Sequence, residues 1–236
     1  MRYVKMLILG RSGSGKTSSM RNLDPVKTGI INCDKQELPF VKDGYETILN
    51  ENGKPDLVVS NYVETGKPRS VIATLKAWEQ RDDLDTIVID TITHLMTSFY
   101  ITDALGKDYG GYKELATSFW NIMDAIRDLR KNVIVYGHIK EEFNEYGDKF
   151  FGMRTHGKMI KEMEPESFFN ILMLSEVTSI EGEISWIFRT FPENPAEKVK
   201  TPSKFGEDGK VIKAFEKYED NDVAAIFAKL NKFYNN

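Results

Sequence analysis

Eight residues near the N-terminus, Gly10-Arg11-Ser12-Gly13-Ser14-Gly15-Lys16-Thr17, match the pattern G-x-x-x-x-G-K-[ST] at every fixed position. The chemistry of that pattern is anion binding. Glycines let the backbone turn tightly, so that successive N–H groups point inward at phosphate oxygens. A lysine at position 16 reaches the β- and γ-phosphates of a nucleoside triphosphate, and the Thr17 hydroxyl ligates Mg²⁺. Gly10, Ser12, Gly13, Ser14, Gly15, Lys16, Thr17 and Ser18 are therefore the expected nucleotide-binding segment. A carboxylate at the end of an apolar run, Thr86-Ile87-Val88-Ile89-Asp90, is the expected second Mg²⁺ contact, since Mg²⁺ keeps several waters and takes few carboxylates. Hydrolysis also needs a group that orients water. Asp34 and Glu37 both qualify, and Asp34 is preferred because it directly follows an apolar run. His138 closes the run 133–137, where a polar tip can sense the γ-phosphate. The expected catalytic set is Lys16, Asp34, Asp90 and His138. His94 and His156 carry no such argument, and three scattered histidines build no metal cluster.

These groups need elements to hold them. Residues 4–9 form a strand-like run before the glycine-rich segment, and 18–23 start a helix stopped before Asp24-Pro25. Further strands are expected at 29–33, 86–90, 133–136, 168–174 and 184–191, the last two joined by a turn at 181–183. Val71, Leu75 and Trp78 have helical spacing over 70–80. Leu115, Phe119, Ile122, Ile126 and Leu129 do the same over 113–131. A last helix over 220–235, capped by Asp220 or Asn221, carries Val223, Ile226, Phe227, Leu230 and Phe233. Residues 43–68 are a loop-rich insertion with one short strand near 57–60. Strands alternating with helices predict an α/β fold, a mainly parallel central sheet with helices on both faces, in one domain over 1–236.

Composition narrows the classes. The 236 residues are 41% hydrophobic and 29% charged, enough to bury a core. A formal charge of −4 excludes a global positive field for nucleic acid, though not a local basic patch. The single Cys33 excludes an intrachain disulfide framework and a multi-cysteine zinc site, and as a small strand-end residue it is expected to be an inert buried thiol. The longest apolar run, 223–228, is too short for a bilayer, and 6–9 is too short for a signal-peptide core. A soluble, cytoplasmic protein with no membrane partner is expected. A local basic patch lies at 149–161, where Lys149, Phe150, Arg154, Lys158 and Lys161 combine cations with aromatics and no acid. A second basic stretch at 198–213 is offset by Glu207 and Asp208 and is expected to be a solvated surface. Cations track a phosphate backbone and aromatics stack on unpaired bases, so 139–161 is a candidate DNA-binding loop. The same cations suit a neighbouring subunit's γ-phosphate.

Taken together, the strand-end features resemble the RecA-like branch of the P-loop ATPases, the AAA/RecA-type NTPases. In that family the second core strand ends in a catalytic carboxylate, and Ile31-Asn32-Cys33-Asp34 stands at the matching place. The Walker B strand ends in Asp followed by a small hydroxyl residue, here Asp90-Thr91. The sensor strand ends in an amide that couples the γ-phosphate to a DNA-binding loop; Tyr136-Gly137-His138-Ile139 matches it with His in place of the amide. More closely, the chain is similar to short phage-encoded RecA-like ATPases associated with single-strand annealing recombination. The residues that carry this are 10–18, Asn61-Tyr62-Val63, Ile87-Val88-Ile89-Asp90 and the C-terminal helix. The resemblance implies a RecA-like P-loop NTPase fold that binds and hydrolyses ATP with Mg²⁺. It further implies single-stranded DNA binding in strand annealing or exchange, a homo-oligomeric ring or filament, a single-strand DNA-binding protein as partner, and a place in the host cytoplasm. Two other classes remain: a P-loop kinase of a small acceptor, and a helicase-loading or regulatory switch acting on a protein.

Overall fold

Alternate side chains of a strand face opposite sides of a sheet. Along Lys5–Gly10 (β1), Leu7 and Leu9 join one apolar cluster while Met6 and Ile8 join a second, and all four are fully buried. Thr86–Asp90 and the first part of Asn132–Phe143 repeat the split, with Ile87, Ile89, Val133 and Val135 on one side and Val88, Ile134 and Tyr136 on the other. Strands buried on both faces belong to a parallel sheet covered on both sides. The computed structural model has that architecture and describes residues 3–106, 109–180 and 182–235.

After β1 come a single turn of 3-10 helix (Thr17–Met20), β2 (Thr28–Asn32), β3 (Tyr62–Glu64), α1 (Pro68–Glu79), β4 (Thr86–Asp90) and α2 (Ile92–Phe99). Then follow α3 (Tyr109–Asp128), β5 (Asn132–Phe143), β6 (Lys149–Met153), α4 (Lys158–Glu162), β7 (Ile171–Ile180) and β8 (Glu183–Arg189). The chain ends with β9 (Ser203–Phe205), β10 (Val211–Lys213), β11 (Tyr218–Asp220) and α5 (Val223–Asn235). The main sheet has the order β11-β8-β7-β1-β5-β4-β2-β3. The run from β7 to β3 is parallel, while β8 pairs antiparallel with β7, β11 pairs antiparallel with β8, and β6 pairs back on β5. Helices α1 to α4 cover one face. The 3-10 turn, α5 and the segment around Tyr45 cover the other.

Four local expectations are corrected. The helix expected over 18–23 is one 3-10 turn, because Ser19 Oγ bonds back to the Lys16 carbonyl and to the Tyr136 hydroxyl; such local bonds compete with a regular helix. The short strand near 57–60 is absent. Val58 and Val59 are exposed, and the edge strand forms at Tyr62–Glu64, where Tyr62 and Val63 are buried. The last helix is capped by Asp222, whose Oδ1 accepts from the Ala224 N–H at 2.9 Å. The segment 139–161 is chiefly a β-hairpin with a short helix, since β5 runs on to Phe143 and pairs with β6. Residue 181 of the expected 181–183 turn lies outside the described residues. Among the described residues, no helix is long and apolar enough to cross a membrane.

Candidate functional site

Parallel pairing in register sets the strand ends side by side. Gly10 pairs with His138 on one flank and Ser175 on the other, and Asn32 pairs with Asp90. The groups picked out from the sequence therefore meet at the carboxyl edge of the sheet, the usual place for a ligand in an open α/β fold.

Lys16 is buried, and its Nζ donates to the carbonyls of Gly10 (3.0 Å) and Arg11 (2.6 Å). Burial lowers its pKa to about 8, against the raising influence of Asp90 and Asp34. Thr17 Oγ1 donates to Asp90 Oδ2 at 2.7 Å. The other oxygen, Asp90 Oδ1, is buried with no hydrogen-bond partner. Burial raises the Asp90 pKa to about 6, with the Thr17 hydroxyl and Lys16 pulling the other way. A buried carboxylate oxygen without a partner is costly unless something fills its lone pairs. A hydrated Mg²⁺ held by one carboxylate, one hydroxyl and substrate phosphates fits this donor set. Among the described residues there is no denser group of three or more metal-ligating side chains.

Asp34 is half-buried and borders a cavity of about 140 Å³ together with Thr17, Asn32, Glu37 and Asp90. At about 30 Å³ per water, it holds a few waters. The turn after β2 is organised by Asn32, whose Oδ1 accepts from the Lys35 N–H and whose Nδ2 reaches the Gln36 carbonyl and the Tyr62 hydroxyl. The only sign of Asn32 in the sequence is a polar residue at the end of an apolar run. Cys33 is buried, and burial drives its thiol pKa up, so it stays a neutral thiol.

His138 is half-buried beside Gly10. Burial and then the Lys16 charge lower its pKa, opposed by a backbone bond to Gly10. Its own N–H donates to Thr93 Oγ1 at 2.9 Å, and its carbonyl accepts from the Arg154 N–H at 2.8 Å. Thr91 caps α2, and Thr97 Oγ1 lies 2.7 Å from His156 Nε2. Neither α2 nor His156 stands out in the sequence, because the contacts of Thr93 with the His138 N–H and of Thr97 with His156 join segments 45 and 59 residues apart.

The basic candidates do not form a free cationic patch. Lys149 pairs with Glu141 at 3.1 Å, Lys161 with Glu142 at 2.7 Å, and Lys158 with Glu162 at 3.6 Å. Glu141 also pairs with Arg11 of the phosphate loop. Arg154 is exposed, while Phe150 and Phe151 are half-buried. Neutralising acids on the opposite strand are visible only once the hairpin register is known. A cavity of about 610 Å³ borders the loop at Arg11, Ser12 and Ser14, with Phe151 and Tyr218 on its far walls.

A family model described as an AAA domain matches residues 2–171. No curated protein sequence matches the chain. Among solved structures, the flagellar accessory protein FlaH from Methanocaldococcus jannaschii is similar at 14% identity and a TM-score of 0.45, over 79% of this chain and 76% of that one. The KaiC-like protein PH0186 from Pyrococcus horikoshii OT3 is similar at 10% identity and a TM-score of 0.46, over 89% and 88%. With well over half of its length matched, and with its phosphate loop and strand-end carboxylate in one place, the chain belongs to the AAA-domain family of P-loop ATPases.

Proposed function

We propose that the chain binds ATP with Mg²⁺ across the phosphate loop and Asp90, hydrolyses it, and couples the turnover to single-stranded DNA during strand annealing or exchange. The observation that carries the nucleotide chemistry is the Thr17–Asp90 pair with its unpartnered buried oxygen. Lys16 leaves the Gly10 and Arg11 carbonyls for the β- and γ-phosphates, whose negative charge favours its protonated form against the lowering effect of burial. Thr17 and Asp90 would hold the metal, which would supply positive charge to the phosphates. Asp34 orients the attacking water in its small cavity and accepts its proton. A cavity of that size beside Asp34 suits a water nucleophile. His138, largely neutral near pH 7, offers one ring N–H toward the γ-phosphate.

The DNA half of the reading rests on the resemblance and on the path from Lys16 through Gly10 and His138 to the Arg154 backbone. Lys149, Phe150, Arg154, Lys158 and Lys161 are its contact candidates, and assembly into a ring or filament would let the same cations serve a neighbouring site. A second reading, a switch acting on a protein, is favoured by the pairing of Lys149 and Lys161 with Glu141 and Glu142.

The test is phosphate release from MgATP with and without single-stranded DNA, with Lys16→Ala as the blank. Stimulation by DNA supports the full reading. Turnover indifferent to DNA moves the coupling to a protein partner. Equal turnover by a folded Lys16→Ala variant sinks the site.

A further inference from the structure

The phosphate loop is held from outside by residues that follow the family match. Its first carbonyls, Gly10 and Arg11, are taken by Lys16. The Gly13 and Ser14 carbonyls are taken by the far end of the chain. Trp186 on β8 donates its Nε1–H to the Gly13 carbonyl at 3.1 Å, and Ser175 on β7 donates its hydroxyl to the Ser14 carbonyl at 2.6 Å. Ser175 Oγ accepts in turn from Asn221 Nδ2 at 3.1 Å, and the Asn221 carbonyl accepts from Arg21 at 2.7 Å.

The contacts are close. A Cβ on Gly15, which has φ +87°, would fall 2.8 Å from Trp186 Cδ1 and 3.0 Å from Asn221 Oδ1. A Cβ on Gly10 would fall 2.6 Å from the Ser175 carbonyl oxygen. The glycines at these two positions are demanded by the outer residues as well as by the turn itself.

Trp186 is about half exposed, at 49%, so core burial does not explain its placement. Its indole lies against the loop instead of turning away.

The peptide unit is planar, with C=O and N–H pointing opposite ways. Fixing the Ser14 carbonyl outward therefore aims the Gly15 N–H to the other side. Fixing the Gly13 carbonyl holds the Ser14 N–H in its bond to the Arg11 carbonyl, 3.2 Å away, which closes the loop.

We propose that Trp186, Ser175 and Asn221 are positioning residues, a clamp that sets the phosphate loop in its anion-binding shape before nucleotide arrives. The proposal rests on the nucleotide-binding reading above. It makes the segment beyond residue 171 a working part of the site. Preorganisation of this kind acts on affinity, because the ordering cost is met before binding. Removing it raises KM and leaves kcat nearly unchanged, the mark of lost uniform binding.

The experiment measures MgATP binding and steady-state turnover for wild type, Trp186→Phe, Trp186→Ala, Ser175→Ala and a control, Trp120→Phe. Trp120 lies on α3 and meets Phe168 edge to face. Losing one hydrogen bond in Trp186→Phe or Ser175→Ala is expected to weaken binding about fivefold. Trp186→Ala, which also loses the ring contact with Gly15, is expected to weaken it tenfold or more, with kcat within about twofold of wild type. Nucleotide should change tryptophan emission in wild type and in Trp120→Phe, and not in Trp186→Phe. Binding by Trp186→Ala and Ser175→Ala within twofold of wild type overturns the clamp. So does a loss confined to kcat or to melting temperature, which marks a merely structural role. A folded wild-type chain that binds no nucleotide overturns the underlying reading, and the clamp with it.

Discussion

Thr17 and Asp90 stand 73 residues apart in the chain and 2.7 Å apart in the fold, hydroxyl to carboxylate. One closes the phosphate loop and the other ends β4, with β5 lying between β1 and β4 in the sheet. The pair leaves Asp90 Oδ1 buried and without a partner, so the nucleotide-free chain carries a charge it does not fully compensate.

The first prediction follows from that charge. Asp90 has a folded pKa of about 6, above its ordinary 3.8, so the folded chain binds this proton more tightly than the unfolded one. Stability contributed by the protonated form is full below 3.8 and is lost as pH rises through about 6. Asp90→Asn removes the loss and should stabilise the nucleotide-free chain at pH 7 by up to about 3 kcal/mol. The variant should also lose turnover and any stabilisation by MgATP. Denaturant melts across pH 4 to 8, with and without MgATP, check this; equal pH profiles for variant and wild type would refute it.

Asp34→Asn should bind MgATP normally and lose hydrolysis by about 10²- to 10⁴-fold, the usual contribution of a positioned acid–base group. Glu37→Gln, which borders the same cavity, should stay within a few-fold of wild type. Single-turnover kinetics separate binding from chemistry. Reversal of the two results would transfer the role to Glu37.

The hairpin makes a charge prediction of opposite sign for two sets of variants. Glu141→Gln with Glu142→Gln frees Lys149 and Lys161 and should tighten single-stranded DNA binding. Arg154→Ala with Lys158→Ala should weaken it and flatten the log–log salt dependence by up to about 1.4, at roughly 0.7 per lost phosphate contact. Affinity measured across a salt series decides. No response to either pair would move the partner from nucleic acid to protein.

Gly29 on β2 lies under the fully buried Trp78 of α1. An added Cβ would come within 2.5 Å of the indole ring, which has no room to retreat. Gly29→Ala should therefore destabilise the fold by about 1–3 kcal/mol, as overpacking of a filled core does. Chemical denaturation measures it, and a loss below 0.5 kcal/mol would show that α1 shifts freely.

Much of this protein was legible in its sequence because the relevant forces are local. The phosphate loop is contiguous, so its glycines, Lys16 and Thr17 declare their chemistry by spacing alone. Runs buried on both faces announced strands β1, β2, β4 and β5, and helical spacing announced α1, α3 and α5. Where local signals compete, the tertiary structure decided. Ser19 chose a bond to Tyr136 over a regular helix, and Tyr62 became an edge strand because β2 lay open beside it. Other features exist only through pairing of distant segments: Glu141 against Lys149, Ser175 beneath Ser14, and Trp186 against Gly15. Their sequence separation leaves no periodic trace, since register between strands is set by the whole sheet. The sequence by itself picked out the phosphate-loop groups and the strand-end carboxylate that the fold brings together. The sheet order determined which distant side chains neutralise the basic hairpin and which ones hold the phosphate loop.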